Sequence, residues 1–398
     1  MTAPGADPSL GDLSRAELGE LLDGEPTYRL DQVWNGLYRQ RRPLSELTNV
    51  PKSLRQAIGE LLPPALALVR TQSADRGTTT KHLWSLRDGH LVESVLMRYR
   101  NRTTLCISSQ AGCAMACSFC ATGQVGFDRN LSVGEIVEQV LSTLQEAGPD
   151  ERAIDSEAAP GRAINIEAAP GRAINIEAAP GRAINSEAAP GRAINIVFMG
   201  MGEPLANYDA VWAAVERFHG DMGIGARHIT VSTVGVIPGI TRLAAEALPV
   251  NLAVSLHAAN DRLRNRIAPI NRTYPLRDLA RSLADYRRAK RRRISLEWAM
   301  IDGINDTDRD AAELAAYARP LAAHVNLIPL NPTPGYGHQP SPAGRIEHFA
   351  AELSSLGVNA TVRQNRGTSI DAACGQLRAD KLVSVRRDGR GARARAER

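Results

Sequence analysis

A chain of 398 residues with a formal charge of +5, 43% apolar and 23% charged side chains has room for one large catalytic domain plus an accessory unit. Its apolar content excludes disorder along the whole chain, and no apolar run reaches the length needed to cross a bilayer. Five cysteines, three of them in one loop, do not make a disulfide framework; a reducing, cytoplasmic setting without a membrane partner is expected.

The opening Met-Thr-Ala-Pro-Gly-Ala-Asp-Pro lacks the basic flank and apolar core of an export signal. Helical patterns then run over Ser14 to Asp23, Asp31 to Gln40 and Pro51 to Leu62, with Pro63 and Pro64 as a stop, which predicts a small helical accessory domain over residues 1–75. Residues 76–102 read as a β-rich extension of paired strands, with Leu83, Leu91, Val95 and Met97 among the buried positions. On this pattern alone Glu93 is an exposed strand carboxylate.

The run Ala-Gly-Cys-Ala-Met-Ala-Cys-Ser-Phe-Cys-Ala-Thr-Gly follows, holding Cys113, Cys117 and Cys120. Three thiolates in one loop can hold a metal centre and leave one position open for a small molecule, whereas a closed zinc site would need Cys106 or a distant His as fourth ligand. Beyond it, apolar strand-like runs alternate with amphipathic helices: Thr104 to Ser108, Ile194 to Met199, Ile229 to Thr233, Leu252 to Leu256, Ile294 to Met300 and Val325 to Leu330. Six such β/α units predict an α/β fold, an open barrel of parallel strands over residues 103–377. The cysteines, Gly202 and Glu203, Ser232, Ser255 and His257, and Asn331 fall at or just after the C-terminal ends of those strands, the rim where barrel active sites form. The Gly-Met-Gly-Glu-Pro turn is expected to let backbone approach a ligand closely.

Between the first helix and the second strand, four copies of a ten-residue unit occupy residues 152–191, with Pro-Gly in each. This insertion reads as a surface loop on the barrel face opposite catalysis, because such short units without a strong apolar register would bury little as a solenoid. Enlarging a loop to this length costs only about 2 kcal/mol, so its deletion should leave activity intact. Residues 378–398 form a basic tail whose excess of positive charge equals that of the whole chain; it suits either solubility or phosphate binding. The cluster Arg287, Arg288, Lys290, Arg291, Arg292 and Arg293 suits either a helix C-terminus or RNA contact.

The spacing Cys-x3-Cys-x2-Cys, with Phe119 before the last cysteine, resembles the signature of the radical S-adenosylmethionine (SAM) enzymes. Stretches at 104–113, 199–204 (Met-Gly-Met-Gly-Glu-Pro), 231–235, 254–258 and 370–377 (Ile-Asp-Ala-Ala-Cys-Gly-Gln-Leu) are similar to the RlmN/Cfr family of RNA adenine methyltransferases, closest to its RlmN branch. The resemblance covers nearly the whole chain outside the repeat and the last dozen residues.

It implies a radical SAM barrel in which Cys113, Cys117 and Cys120 hold a 4Fe-4S cluster, and two SAM molecules are consumed per turnover. Gly202, Glu203, Ser232, Ser255, Leu256, His257 and Asn331 would bind SAM. Cys374 would carry the methyl group, Cys106 would attack it to leave a transient Cys106–Cys374 disulfide, and Glu93 would accept the proton lost from carbon 2 of adenine. Carbon 2 lies between two ring nitrogens and is too electron-poor for polar methyl transfer, which is why a radical route is needed. The implied substrates are an adenine in the peptidyl-transferase centre of 23S rRNA and the adenine 3′ of the anticodon in certain tRNAs, with an electron donor such as flavodoxin or ferredoxin and a monomeric enzyme. A Cfr-like carbon 8 methyltransferase, or a non-catalytic iron-sulfur RNA-binding protein, are the alternatives.

Overall fold

The computed structural model describes residues 8–148, 193–333 and 335–377; the repeat at 152–191 and the basic tail at 378–398 lie outside the described residues. Strands β1 (Leu66–Ala74), β2 (Thr79–Leu86), β3 (Leu91–Arg98) and β4 (Arg102–Cys106) pair antiparallel in sequence order. From β4 onward the same sheet is parallel, continuing through β7 (Ala193–Phe198), β8 (Ile229–Thr233), β9 (Asn251–Ser255), β10 (Ser295–Met300) and β11 (His324–Pro329). These are the six strands of the predicted open barrel. A three-residue β12 (Ala360–Val362), not foreseen, extends the parallel edge. A separate hairpin, β5 (Gln110–Gly112) with β6 (Phe127–Asn130), brackets the cysteine loop.

The parallel strands are short and almost wholly apolar because both faces are covered, and Ile196, Val231, Val254, Leu296 and Leu327 are at most 1% exposed. Helices between them carry one apolar stripe each. Val133–Glu146 starts at a reciprocal cap between Ser132 and Glu135 and buries Ile136, Val137, Val140 and Leu144.

Alternation in β2 and β3 does not mean a half-exposed sheet, as the sequence pattern suggested. All but three of their sixteen residues are buried. One face points into the barrel, and the other is covered by helix Val133–Glu146, where Ser94 Oγ lies 3.1 Å from Thr143 Oγ1.

The N-terminal helices Arg15–Leu21, Tyr28–Tyr38 and Lys52–Leu61 bury Leu18, Trp34, Tyr38 and Ile58 in the same continuous core as the barrel. Arg217, on helix Tyr208–Gly220, secures this junction. Its guanidinium stacks 4.8 Å from the Trp34 ring and 5.0 Å from Tyr38, and donates to the Tyr38 hydroxyl at 2.7 Å. Among the described residues no helix is long and apolar enough to cross a membrane.

Candidate active site

Cys106 ends β4, and the β5–β6 hairpin then presents the three-cysteine loop. Cys113 N–H donates to Gly126 O at 2.7 Å, and a side chain on the preceding Gly112, at φ +75°, would put its Cβ 2.0 Å from that same oxygen. The loop is pinned by bonds from Ser118 N–H to Ile267 O (3.1 Å) and from Ala121 N–H to Gly375 O (2.8 Å). Phe119 meets the His257 ring edge-on at 4.4 Å.

The three thiols surround one chamber of about 160 Å³, whose wall also contains Gly202, Glu203, Ser232, Ser255, His257 and Asn331. Residues from five separate strand ends therefore converge on one space. Burial pushes the Cys113 thiol up to about 12 and holds Cys117 well above its ordinary range, a cost that a bound cation would offset at these two positions. Among the described residues no three His, Cys, Asp or Glu side chains form a ready-made single-ion site. Three thiols around a wider chamber fit a polynuclear iron-sulfur centre with three protein ligands.

Glu203 is 3% exposed and its carboxylate accepts N–H bonds from Leu205 at 3.0 Å and Val234 at 2.8 Å, which fixes its direction. Burial nonetheless raises its carboxyl to about 7. Gly202 lines the same chamber. At φ +100° its missing side chain makes room for the protein itself, since a Cβ would lie 2.6 Å from Gln110 Cβ and 2.7 Å from Gln110 N.

His257 has φ 58° and accepts the Ala299 N–H on Nδ1 at 2.9 Å, so its ring proton belongs on Nε2. Burial lowers its basicity to about 3, leaving a neutral ring. Ser232 Oγ donates to Phe198 O. Leu256 does not reach the chamber: its side chain is fully buried, and its backbone donates to Glu297 O and accepts from the Arg264 guanidinium.

Asn331 does more than line the chamber, because its side-chain N–H donates to Cys374 O at 3.0 Å. Leu377 O accepts the Thr122 hydroxyl at 2.5 Å and Asp371 O accepts Lys81 Nζ at 3.3 Å, so the Cys374 segment is fastened to the barrel on three sides. Cys374 is exposed, the others buried or partly so, and all five cysteines are free. Its exposure opens inward.

A second, larger chamber of about 510 Å³ occupies the barrel interior and holds Cys106. Cys374 lies in the wall shared by both chambers, together with Met199, Glu297, Ile328 and Leu377. Burial raises the Cys106 and Cys374 thiols, and the Arg363 guanidinium pulls both the other way. The outer part of the chamber is cationic: Arg102 begins β4, Arg227 precedes β8, and Arg292 and Arg293 precede β10. Tyr99 there is sandwiched between the guanidinium groups of Arg102 (4.1 Å) and Arg366 (4.3 Å).

Glu93 corrects the reading of an exposed strand carboxylate. It is 1% exposed and paired with Lys81, itself 3% exposed, at 3.0 Å. Strand register puts it on the inner face, two residues from Val95, the partner of Cys106, but it lines neither chamber. Lys81, Arg264 and Glu297 escaped sequence reasoning; each is a charged residue on an apolar-looking strand or a polar helix, and nothing local marks it as buried. Arg363, exposed just after β12, escaped it as well.

An open parallel barrel with three cysteines in the loop after its first strand, and a Gly-Glu turn after its second, defines a radical SAM enzyme. The sequence model of the Radical SAM superfamily matches residues 182–315. A crystal structure of a radical SAM methyltransferase from Sphaerobacter thermophilus superposes with a TM-score of 0.80 at 43% identity, covering 94% of this chain and 99% of that one. Curated relatives named probable dual-specificity RNA methyltransferase RlmN include those of Chloroflexus aurantiacus, 43% identical with 92% of each chain covered, and Roseiflexus castenholzii, 46% identical with 93% and 96% covered. The chain belongs to the RlmN family.

Proposed function

We propose that this protein methylates carbon 2 of an adenine in the peptidyl-transferase centre of 23S rRNA and of the adenine 3′ of the anticodon in certain tRNAs, with Cys374 as methyl carrier. The observation that carries this reading is the position of Cys374 in the wall between the two chambers, facing the three-cysteine site on one side and Cys106 on the other. When bound, the 4Fe-4S cluster with SAM supplies one-electron cleavage of a sulfonium, the source of a carbon radical able to add to an electron-poor ring carbon.

The chain's own residues divide the remaining work. Cys113, Cys117 and Cys120 hold the cluster, and the fixed Glu203 carboxylate beside Gly202 accepts the ammonium of the methionine part of SAM. His257 turns an Nε2–H toward the same chamber, with Ser232, Ser255 and Asn331 as further polar contacts. Cys374 takes up a methyl group and presents its sulfur to the larger chamber. Cys106 attacks that sulfur once the carbon has passed to adenine, and the disulfide then formed requires a reductant. Glu93, on the inner face two residues from Val95, the strand partner of Cys106, is the residue we assign to accept the proton from carbon 2.

The cationic outer wall supports an RNA substrate. Arg102, Arg227, Arg292, Arg293, Arg363 and Arg366 share it with a single acidic side chain, Glu297. The position of Arg292 and Arg293 favours RNA contact over helix capping for that part of the basic cluster. Digestion of 23S rRNA and tRNA after reaction in vitro tests the assignment. The expected product is 2-methyladenosine, dependent on Cys374; 8-methyladenosine alone would move the protein to a Cfr-like activity, and RNA binding without SAM cleavage would leave it non-catalytic.

A further inference from the structure

Glu297 is the third residue of β10, 5% exposed, level with Ser255 on β9 and Asn326 on β11. Its Oε1 accepts the Asn326 side-chain N–H at 2.8 Å. Its Oε2 has no hydrogen-bond donor and meets the Arg363 guanidinium at 3.7 Å. A buried carboxylate oxygen without a donor is costly unless a ligand brings one.

The position of the carboxylate head selects between the two ligands of the site. Asn326 and Arg363 line the larger chamber and not the three-cysteine chamber, so the open oxygen belongs to the side that holds Cys106 and the cationic rim. The larger chamber is the one an RNA base would enter. Of the bases, adenine offers an amine at ring position 6, where guanine offers a carbonyl oxygen.

Resting on the reading that the target adenine enters this chamber, we propose that Glu297 is a specificity-determining residue whose Oε2 accepts an N–H bond from the exocyclic amine of that adenine. The same oxygen opposes the carbonyl oxygen of guanine, because two acceptors facing each other leave both unsatisfied. Arg363, in the wall of the same chamber, steadies that oxygen from 3.7 Å.

The test uses holoenzyme and RNA hairpins that carry, at the target position, either adenosine or purine riboside, which keeps carbon 2 but lacks the amine. Wild-type kcat/KM is expected to fall about 10- to 100-fold on losing the amine. In Glu297→Gln the advantage of adenosine should shrink, and in Glu297→Leu it should drop to within about threefold, with the Kd for SAM unchanged in both. Wild-type enzyme that methylates purine riboside as well as adenosine overturns the proposal without recourse to any variant. A variant that keeps the full preference, or one whose lost activity follows weakened SAM binding, overturns it too. Failure of the wild type to methylate the adenosine hairpin at all would instead sink the carbon 2 reading, and this proposal with it.

Discussion

Lys81 and Glu93 show how a single side chain can be misread when its partner sits on the neighbouring strand. Both are nearly inaccessible, and the pair is made at 3.0 Å. Removing one partner of a buried ion pair leaves the other charge desolvated, which costs about 3–5 kcal/mol. Lys81→Met should therefore lower stability in urea by about that amount, and adding Glu93→Gln should recover part of the loss; a double variant no more stable than Lys81→Met would contradict this. Lys81 also holds Asp371 O, so the single variant should expose the Cys374 segment to protease. At this scale the gathering of Cys113, Cys117 and Cys120 around one chamber was legible because three cysteines in one loop have few other uses. Glu203, Ser232, Ser255, His257 and Asn331 were legible as strand-end residues. The burial of Glu93 was not, because alternation in β3 looks the same whether its second face meets water or a helix.

Element by element, the parallel strands could be read within a residue or two, since short apolar runs bounded by polar turns have few other solutions. β1 could not. Between its ends Leu66 and Ala74 no residue is buried, and its register slips between Leu68 and Arg70, features of an edge strand that carries no core pattern. β12 is too short to leave a period. The turn after β7 is a steric junction with the β5 strand, so Gly202→Ala, whose Cβ would lie 2.6 Å from Gln110 Cβ at φ +100°, should destabilise by about 2 kcal/mol or more and lower iron content together with melting temperature. On helix Val133–Glu146, Glu138 accepts the N–H groups of Ala65 (2.7 Å) and Leu66 (3.3 Å) at the start of β1. Burial raises its carboxyl from 4.5 to about 7, so the folded state binds this proton more tightly than the unfolded chain. Stability from this group is complete below about pH 4.5 and lost as pH rises through 7. Glu138→Gln should accordingly gain about 1 kcal/mol over wild type at pH 8 and nothing at pH 4; a variant less stable at pH 8 would refute the assignment.

Over the whole molecule, the organising feature is a barrel divided internally by Cys374, with the three-cysteine chamber toward the C-terminal strand ends and a cationic chamber toward their N-terminal ends. That division was not legible in the sequence, because it depends on the segment Gly367–Leu377 returning across the barrel to bond Asn331, Thr122 and Lys81. The described chain leaves helix Val133–Glu146 and re-enters at Ala193, the end of β7 remote from the cysteines, so deletion of residues 152–191 should leave SAM-cleaving activity unchanged. A folded deletion variant without activity would refute that. The central claim is that the sulfur of Cys374 carries the methyl group. Intact-peptide mass measurement of the segment containing Cys374, in protein produced with SAM available, tests it most directly. The account predicts a one-methyl adduct on Cys374 in the wild type that is absent from Cys113→Ala; an unmodified Cys374 in an active preparation, or an adduct that survives the loss of Cys113, would contradict it.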